Sequence, residues 1–446
     1  MLGETKIREI ANQVLALSKA DQTEVIIRAT DSALTRFANS AIHQNVAEAN
    51  VEIRVRVVYG KKIGVAASND FSPEALKRTI ETARAIAQKQ RENPNFTSLP
   101  KPQPTRNVEA FVEATAKFTP EQRAQVVGVL CRRAKEKGVA AAGAFTTTTR
   151  EIAVANSLGV FAYHPGTYAD FNTVMLSDAG SGYASFTHQD ARKINAETLA
   201  REAIDKALRA RNPIAIEPGE YTVLLEEAAV LDLLDFLAML GFSAQAVQED
   251  RSFMKGKIGE KVMSDNVTIW DDGCAPDGVP LPFDFEGVPR QKIVLVENGI
   301  ARGLVYDSAT AQREGKQSTG HSLPAPNTMG PYAMHMAMAP GDTPKKDMIK
   351  SVARGVWVTR FWYTRAVHPL KLLITGMTRD GTFLIENGEV TQSLKNFRFT
   401  TSYLDALNHV RAISRETKLF QDDWSGASRN TPALLVDGFR FTGVTV

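Results

Sequence analysis

The spacing of hydrophobic residues changes along residues 221–241. Residues 221–225 form a short β-branched and apolar run, which predicts a buried strand. Residues 228–240 carry apolar side chains at helical spacing, and this predicts a helix with a wide apolar face: Val230, Leu231, Leu234, Leu237 and Met239. Gly241 follows, where a left-handed cap costs least. Asp232 lies off the apolar stripe, so this pattern predicts that it faces solvent. Asp235 is the only polar side chain that the pattern predicts to face inward.

The N-terminal half alternates between helical and strand patterns. Strands are predicted over residues 23–29, 34–37, 41–46 and 51–57, and the last segment alternates strictly enough to bury one face. Ser72 before Pro73 predicts a capped helix start, and Thr119 before Pro120 predicts a second one with a capping box. These patterns favour an α/β domain.

The C-terminal half is richer in strand patterns. Glu-Asn-Gly occurs at residues 297–299 and 386–388, and each copy predicts a hairpin with positive φ at two positions. A helix is predicted over residues 404–413, and a terminal hairpin turns at Asp437-Gly438. Proline and glycine interrupt the pattern at residues 212–220. We therefore predict an α+β protein of two domains, an α/β domain at residues 1–215 and a β-rich, mixed-sheet domain at residues 216–446.

Composition narrows the class of protein. The 446 residues are 43% hydrophobic and 23% charged with net charge +3, which gives no electrostatic argument for nucleic acid or an acidic membrane. No window approaches the about 20 apolar residues that cross a bilayer, and the first residues lack the pattern of a signal peptide. Cys131 and Cys274 form no disulfide framework. We expect a cytoplasmic protein without membrane or nucleic-acid partners.

Few residues offer recognisable chemistry. The seven histidines are scattered, so no helix carries a zinc-binding pair. The loop Ser318-Thr319-Gly320-His321 combines hydroxyls with an imidazole, but a turn that bonds its own backbone is favoured over a nucleophilic site. Peptide binding by this loop is more plausible than catalysis. Cys274 lies in a Gly/Asp/Pro loop without a recognisable histidine or acid partner for a nucleophile.

Several short segments together resemble one known family. They are Arg-Phe-Ala-Asn-Ser-Ala-Ile-His-Gln-Asn at 36–45, Ser-Phe-Met-x-Gly-Lys-Ile-Gly at 252–259, Phe-x-x-Glu-Gly-Val-Pro at 283–289, Ser-Thr-Gly at 318–320 and Leu-Ile-Glu-Asn-Gly at 384–388. They run in family order over nearly the full length. On these segments the chain resembles the TldD/PmbA family.

The resemblance implies a paired assembly. Members of this family look like two-domain cytoplasmic chains that act as a pair of related subunits. One subunit, TldD, carries H-E-x-x-x-H on the helix after the strand that matches residues 222–225; its two histidines and a distant cysteine hold zinc, and its glutamate serves as base. The other, TldE or PmbA, has lost these residues. The complex trims unfolded or extended peptides.

This sequence departs from the zinc motif at each position. Asp235 stands at the first histidine, Phe236 at the glutamate and Leu240 at the second histidine. The region that matches the cysteine, residues 421–426, contains no cysteine. The resemblance therefore implies no catalytic or metal-binding residue and no cofactor in this chain, with zinc expected in a TldD-like partner.

Three functions remain open. The favoured one is a TldE-like partner subunit, in a heterodimer or higher assembly, that completes the walls of a peptide cleft. A sheet edge offered to an extended peptide is one way to do so, and the loop at Ser318, Thr319, Gly320 and His321 would line that cleft. The second is a metal-free hydrolase acting alone through Cys274 or a serine. The third is a homodimeric peptide-binding protein without catalysis.

Overall fold

The computed structural model describes residues 1–422 and 426–445. Its helices and two sheets confirm the predicted α+β class. The helices of the described residues are α1 Glu4–Leu17, α2 Pro73–Lys89, α3 Glu113–Ala116, α4 Pro120–Glu136, α5 Ala196–Arg209, α6 Glu227–Leu240, α7 Ala244–Gln248, α8 Ser308–Arg313, α9 Lys345–Lys350 and α10 Tyr403–Asn408. The predicted caps of α2 and α4 are confirmed: Ser72 accepts a hydrogen bond from the backbone N–H of Ala75, and Thr119 forms a capping box with Gln122.

The first sheet is antiparallel and has the order β3-β2-β1-β4-β5-β6. Its strands are β1 Gln22–Ala38, β2 Ala41–Tyr59, β3 Lys62–Ser68, β4 Ala140–Asn156, β5 Phe161–Leu176 and β6 Ser181–His188. The four short strands predicted over residues 23–57 are in fact two long ones. β1 and β2 pair along their whole length and turn at Asn39 and Ser40, both with positive φ. The residues between the predicted segments are polar and lack the alternating pattern of a strand. They are nevertheless part of β1 and β2, because the continuous ladder supplies hydrogen-bond partners for their backbone N–H and C=O groups.

The second sheet contains the remaining described strands. They are β7 Glu220–Leu225, β8 Ile269–Asp271, β9 Ile293–Glu297, β10 Ile300–Ala301, β11 His335–Met338, β12 Arg354–His368, β13 Leu373–Glu386, β14 Glu389–Ser393, β15 Phe397–Ser402, β16 Val410–Gln421 and β17 Ser428–Val444. β7 pairs with β12 in parallel and with β17 antiparallel, so β17-β15-β13-β12-β7 closes into a ring. Both Glu-Asn-Gly hairpins are confirmed, because Asn298, Gly299, Asn387 and Gly388 all have positive φ.

Two predictions for the C-terminal end were wrong. The helix predicted over residues 404–413 stops with α10, and β16 begins at Val410 because its ladder with β17 starts there. The predicted terminal hairpin is one continuous strand, β17. Asp437-Gly438 is an irregularity within it, since β7 pairs with β17 on both sides of this dipeptide. The dipeptide Asp437-Gly438 favours a turn locally, but pairing with β7 on both sides keeps β17 extended through it.

The first sheet and loop residues of the second half share an apolar cluster. Ile26, Ile152, Val154 and Ala162 of the first sheet pack with Leu281, Phe283, Phe285 and Met334 of the second half. Gly287 approaches so closely that a Cβ atom there would lie 2.6 Å from Val160 Cγ1. The cluster fixes how the two halves face each other, while the domain boundary at residues 215/216 stays a prediction.

Candidate functional site

Helix α6 carries Asp235, Phe236 and Leu240, which the resemblance predicts to occupy the positions of the zinc motif. It follows β7 and packs against β12 and β17. Phe236 is 7% exposed and meets the Tyr403 ring edge to face at 5.9 Å between centroids. Leu240 is half-buried and packs on the same core. Neither side chain carries a nitrogen, oxygen or sulfur atom that could bind zinc.

Asp235 is held by a buried arginine. Its carboxylate lies 3.0 Å from Nε of Arg429, whose side chain is 2% exposed. One terminal nitrogen of Arg429 donates to the carbonyl oxygens of Met334 and Ser428, and the other donates to the Tyr332 hydroxyl. Partial desolvation raises the pKa of Asp235, and Arg429 opposes that shift. Sequence reasoning missed Arg429, because nothing in the residues around it distinguishes a buried arginine from an exposed one.

Of the two aspartates of α6, Asp232 faces inward and Asp235 does not, so the predicted orientation was wrong. Asp232 accepts hydrogen bonds from the Tyr403 hydroxyl at 2.5 Å and from the Thr364 hydroxyl at 2.7 Å. Burial raises its pKa to about 6, despite these two donors. Half of the Asp235 side chain is exposed, and Met239, predicted on the apolar stripe, is also exposed. Thr364 on β12 and Tyr403 on α10 stabilise the Asp232 carboxylate inside the protein, although the hydrophobic periodicity of α6 predicts that Asp232 faces solvent.

Gly241 ends α6 in the right-handed region, with φ −108° and ψ −56°. The predicted left-handed cap was therefore wrong. The glycine is needed for space, since a Cβ atom would lie 2.5 Å from Cε1 of Phe253. The ring of Phe253 in turn packs edge to face on Phe242.

His321 of the predicted peptide-binding loop is fully buried. Its Nε2 lies 2.9 Å from Oδ1 of Asp271, and its Nδ1 lies 2.9 Å from the Thr319 hydroxyl. Burial would raise the pKa of Asp271, but His321 outweighs it and holds that pKa well below its usual range. The other carboxylate oxygen of Asp271 accepts the backbone N–H of His335 at 2.7 Å. The buried imidazole of His321 thus stabilises the conformation of this loop.

The other residues of that loop form hydrogen bonds and close contacts with neighbouring segments of the chain. Ser318 and Thr319 are half-buried, and both hydroxyls donate to the carbonyl oxygen of Tyr306, at 3.3 and 3.1 Å. Gly320 has φ 76°, and a Cβ atom there would lie 2.3 Å from the carbonyl oxygen of Pro289. Its left-handed backbone and this close approach both require glycine. Peptide binding by this loop stays a prediction.

The thiols occupy unreactive surroundings. Cys274 is half-buried, and burial together with Asp272 raises the pKa of its thiol. Cys131 is buried in α4, where burial likewise raises its pKa. Within residues 1–422 and 426–445, no group of three or more His, Cys, Asp or Glu side chains is placed to hold a metal ion. Three positions of the segment that matches the family's cysteine, residues 423–425, lie outside the described residues.

A buried charge cluster joins the two halves and had no signal in the sequence. Arg56 lies between Glu24, which it hydrogen-bonds, and Glu286, whose carboxylate is 3.6 Å away. Burial raises the pKa of Glu24 to about 7, and burial together with Glu286 raises the pKa of Asp284 to about 7. Arg56 and Glu286 line a cavity of about 460 Å³ between α2 and the loops before and after α8.

Family models match almost the whole chain. The model described as the PmbA/TldA metallopeptidase C-terminal domain matches residues 218–443, and the models for domain 1 and the central domain match residues 23–87 and 106–211. The chain belongs to the PmbA/TldD family. The predicted resemblance is confirmed, and with it a relation to metalloproteases.

Individual relatives agree with this assignment. A Metalloprotease TldD homolog of Buchnera aphidicola is 23% identical over 85% of this chain and 82% of that protein. An uncharacterized protein of Methanocaldococcus jannaschii is 38% identical over 37% of this chain, but the match spans only 40% of that protein. The crystal structure of TldE from Thermococcus kodakarensis has a TM-score of 0.90 at 21% identity, covering 98% of this chain and all of that one, which establishes the shared fold.

No helix in the described part of the chain has both the length and the apolar character needed to cross a bilayer.

Proposed function

We propose that this chain is the subunit without metal of a two-subunit peptidase. It pairs with a relative that carries H-E-x-x-x-H, and it supplies part of the wall of a cleft for unfolded or extended peptides. Zinc and the general base belong to the partner. The family is related to metalloproteases, and we propose in addition the kind of partner subunit and the kind of peptide substrate.

One observation carries the proposal. At the motif positions, Phe236 and Leu240 pack in or against the core, and Asp235 is paired with Arg429. A zinc site needs three protein ligands with nitrogen, sulfur or oxygen donors, and a peptidase needs a base beside the metal. Asp235 alone does not supply this donor set, so the residues present do not fit zinc.

The first experiment measures zinc content on the chain purified alone and on the chain co-purified with an H-E-x-x-x-H relative. We expect almost no zinc in the chain alone, and zinc with hydrolysis of an unfolded peptide in the complex. The relative purified alone is the control for activity that needs no partner. Near-stoichiometric zinc in this chain alone, or full activity of the relative without it, would overturn the proposal.

The homodimer and the metal-free hydrolase give different results in the same samples. A homodimer shows twice the chain mass in sedimentation and does not exchange with the relative. A hydrolase retains activity with a chelator and loses it in Cys274→Ala. We do not favour a hydrolase acting through Cys274, because the raised pKa of its thiol disfavours the thiolate that a nucleophile requires. We rank the homodimer lower because the resemblance implies a pair of related but different subunits.

A further inference from the structure

A two-stranded hairpin extends from the closed ring of the second sheet. β7 pairs with β12 only at Gly355–Val358, after which β12 continues to His368 beside β13. Among the described residues, no strand pairs with the outer edge of β12 from residue 360 to 368. That edge presents unpaired backbone donors and acceptors, which an extended segment can pair with. Residues 360–379 are called the hairpin surface below.

Aromatic and cationic side chains alternate on this surface. Trp362 is 42% exposed, and its ring centroid lies 5.0 Å from Cζ of Arg360 and 4.7 Å from Cζ of Arg379. Cζ of Arg365 lies 4.7 Å from the ring centroid of Tyr363. The stacked rings hold the guanidinium groups in place, so that less conformational entropy is lost when a carboxylate binds them.

Tyr363 has an unfavourable backbone conformation. Its φ is 55°, at an irregularity of the β12 ladder between Trp362 and Arg365, and its side chain is 66% exposed. Residues with a Cβ atom avoid this region, and a bulky aromatic residue there is unusual. The bulge leaves the ring mostly exposed, with the Arg365 guanidinium against it. Such strained positions gather at functional surfaces.

Positive charge exceeds negative charge at the hairpin surface. Its residues include Arg360, Arg365, Lys371 and Arg379 and no Asp or Glu. The adjacent Asp380 forms an ion pair with Arg360 and lies 3.9 Å from Nε of Arg379, whereas Arg365 and Lys371 form no ion pair with the described residues. Two aliphatic side chains are exposed on the same hairpin, Val367 at 54% and Leu370 at 45%. A complementary partner therefore combines negative charge with apolar side chains.

We propose that the hairpin surface binds an extended acidic segment of another polypeptide, one that alternates carboxylates with apolar residues. The segment adds a strand to the free edge of β12. Its carboxylates meet Arg365 and Arg379, and its apolar side chains cover Trp362 and Val367. A nucleic acid fits less well, since it leaves the aliphatic side chains uncovered and the whole chain has a net charge of only +3.

The hairpin is connected to the motif helix. The Thr364 hydroxyl donates to Asp232 of α6. In the core beneath, Phe361 stacks on Tyr403 and packs at a tilt against Phe399. A segment bound to the hairpin therefore lies beside α6. The proposal goes beyond the peptidase-subunit assignment and holds whether or not that assignment does.

The test uses the full chain and fluorescence anisotropy with three probes. One is a labelled peptide of about ten alternating glutamate and leucine residues, the second has lysine in place of glutamate, and the third is an oligothymidine of similar length. We expect the glutamate peptide to bind at least about tenfold more tightly than either other probe. Arg365→Glu should weaken that binding at least about tenfold.

Two further variants separate recognition from folding. Tyr363→Gly removes the ring while glycine accepts the positive φ, so binding should fall about fivefold with an unchanged melting temperature. Arg84→Glu, a charge reversal on an exposed residue of α2, should leave binding within about twofold. Tighter binding of oligothymidine, equal binding of both peptides, or no loss in Arg365→Glu would overturn the proposal. So would a dimer of the chain that Arg365→Glu dissociates, because the occupant would then be a second copy.

Discussion

Buried ionisable side chains are the most consequential individual residues of this protein. Lys206 is almost fully buried and pairs with Glu226 at 2.6 Å and with Glu202 at 3.1 Å. Arg56 pairs with Glu24 and Glu286 between the two halves. Each carboxylate loses hydration on folding, and a nearby cation restores only part of that free energy. The pKa values of Glu24 and Glu202 are shifted in the folded chain, and these shifts make stability depend on pH.

Glu24→Gln should flatten the dependence of stability on pH. Burial raises the pKa of Glu24 from 4.5 to about 7, so between these values the folded chain holds a proton that the unfolded chain has released. The stability from this proton is fully present below pH 4.5 and is lost as the pH rises through about 7. We expect the drop in melting temperature between pH 5 and pH 8 to shrink by at least about 2 °C in the variant.

Thermal unfolding at the two pH values measures this effect. Glu48→Gln, on the exposed part of β2, is the matched control and should keep the slope of the parent chain. Asp284, whose pKa is also raised to about 7, will retain part of that slope in the Glu24 variant. An unchanged slope in Glu24→Gln would mean that Glu24 is already ionised in the folded chain at pH 5.

At the scale of elements, α6 shows how a helix end depends on its neighbours. Gly241 has right-handed backbone angles, and the ring of Phe253 occupies the space where a Cβ atom would lie. The glycine is therefore required by packing between α6 and the segment after α7.

Gly241→Ala should destabilise the chain by about 1–3 kcal/mol, because the added methyl group overpacks against Phe253. Phe253→Leu introduced with it should recover part of that loss, since the smaller side chain leaves room. Urea unfolding with a constant m-value measures both effects. The control is Gly128→Ala inside α4, where a Cβ atom meets nothing within 4 Å, and a stabilisation of about 0.5–1 kcal/mol is expected. If Phe253→Leu does not recover stability, the destabilisation by Gly241→Ala comes from the backbone at residue 241 and not from the Phe253 ring.

At the scale of the whole molecule, the two halves are coupled through a shared core. Phe283 is 1% exposed in the cluster that contains Ile26 and Val154 of the first sheet. Truncation of an aromatic residue at such a site removes contacts on both sides of the junction.

Phe283→Ala should destabilise the chain by about 3–5 kcal/mol and separate the unfolding of the two halves. Differential scanning calorimetry should show a broadened or split transition in place of a single one. Phe399→Ala, a change of the same size inside the second half alone, is the control and should lower the melting temperature with less broadening. One sharp transition in Phe283→Ala would show that other contacts keep the halves cooperative.

The sequence by itself determined the features whose cause lies within a few residues. The caps at Ser72 and Thr119 and the two Asn-Gly turns occur where predicted, because hydrogen bonds and φ angles at these sites depend on adjacent residues. The donor chemistry at positions 235, 236 and 240 was also readable directly, and so was the family, from short segments spread along the chain.

Only the tertiary structure decided which polar groups are buried and where long strands continue. Asp232 faces inward because of Tyr403, 171 residues away, and β17 continues through Asp437-Gly438 because β7 pairs with both flanks. Arg429 is buried against α6, and His321 against Asp271. These outcomes depend on hydrogen bonds and packing between residues far apart in sequence, which local periodicity and turn propensity do not encode.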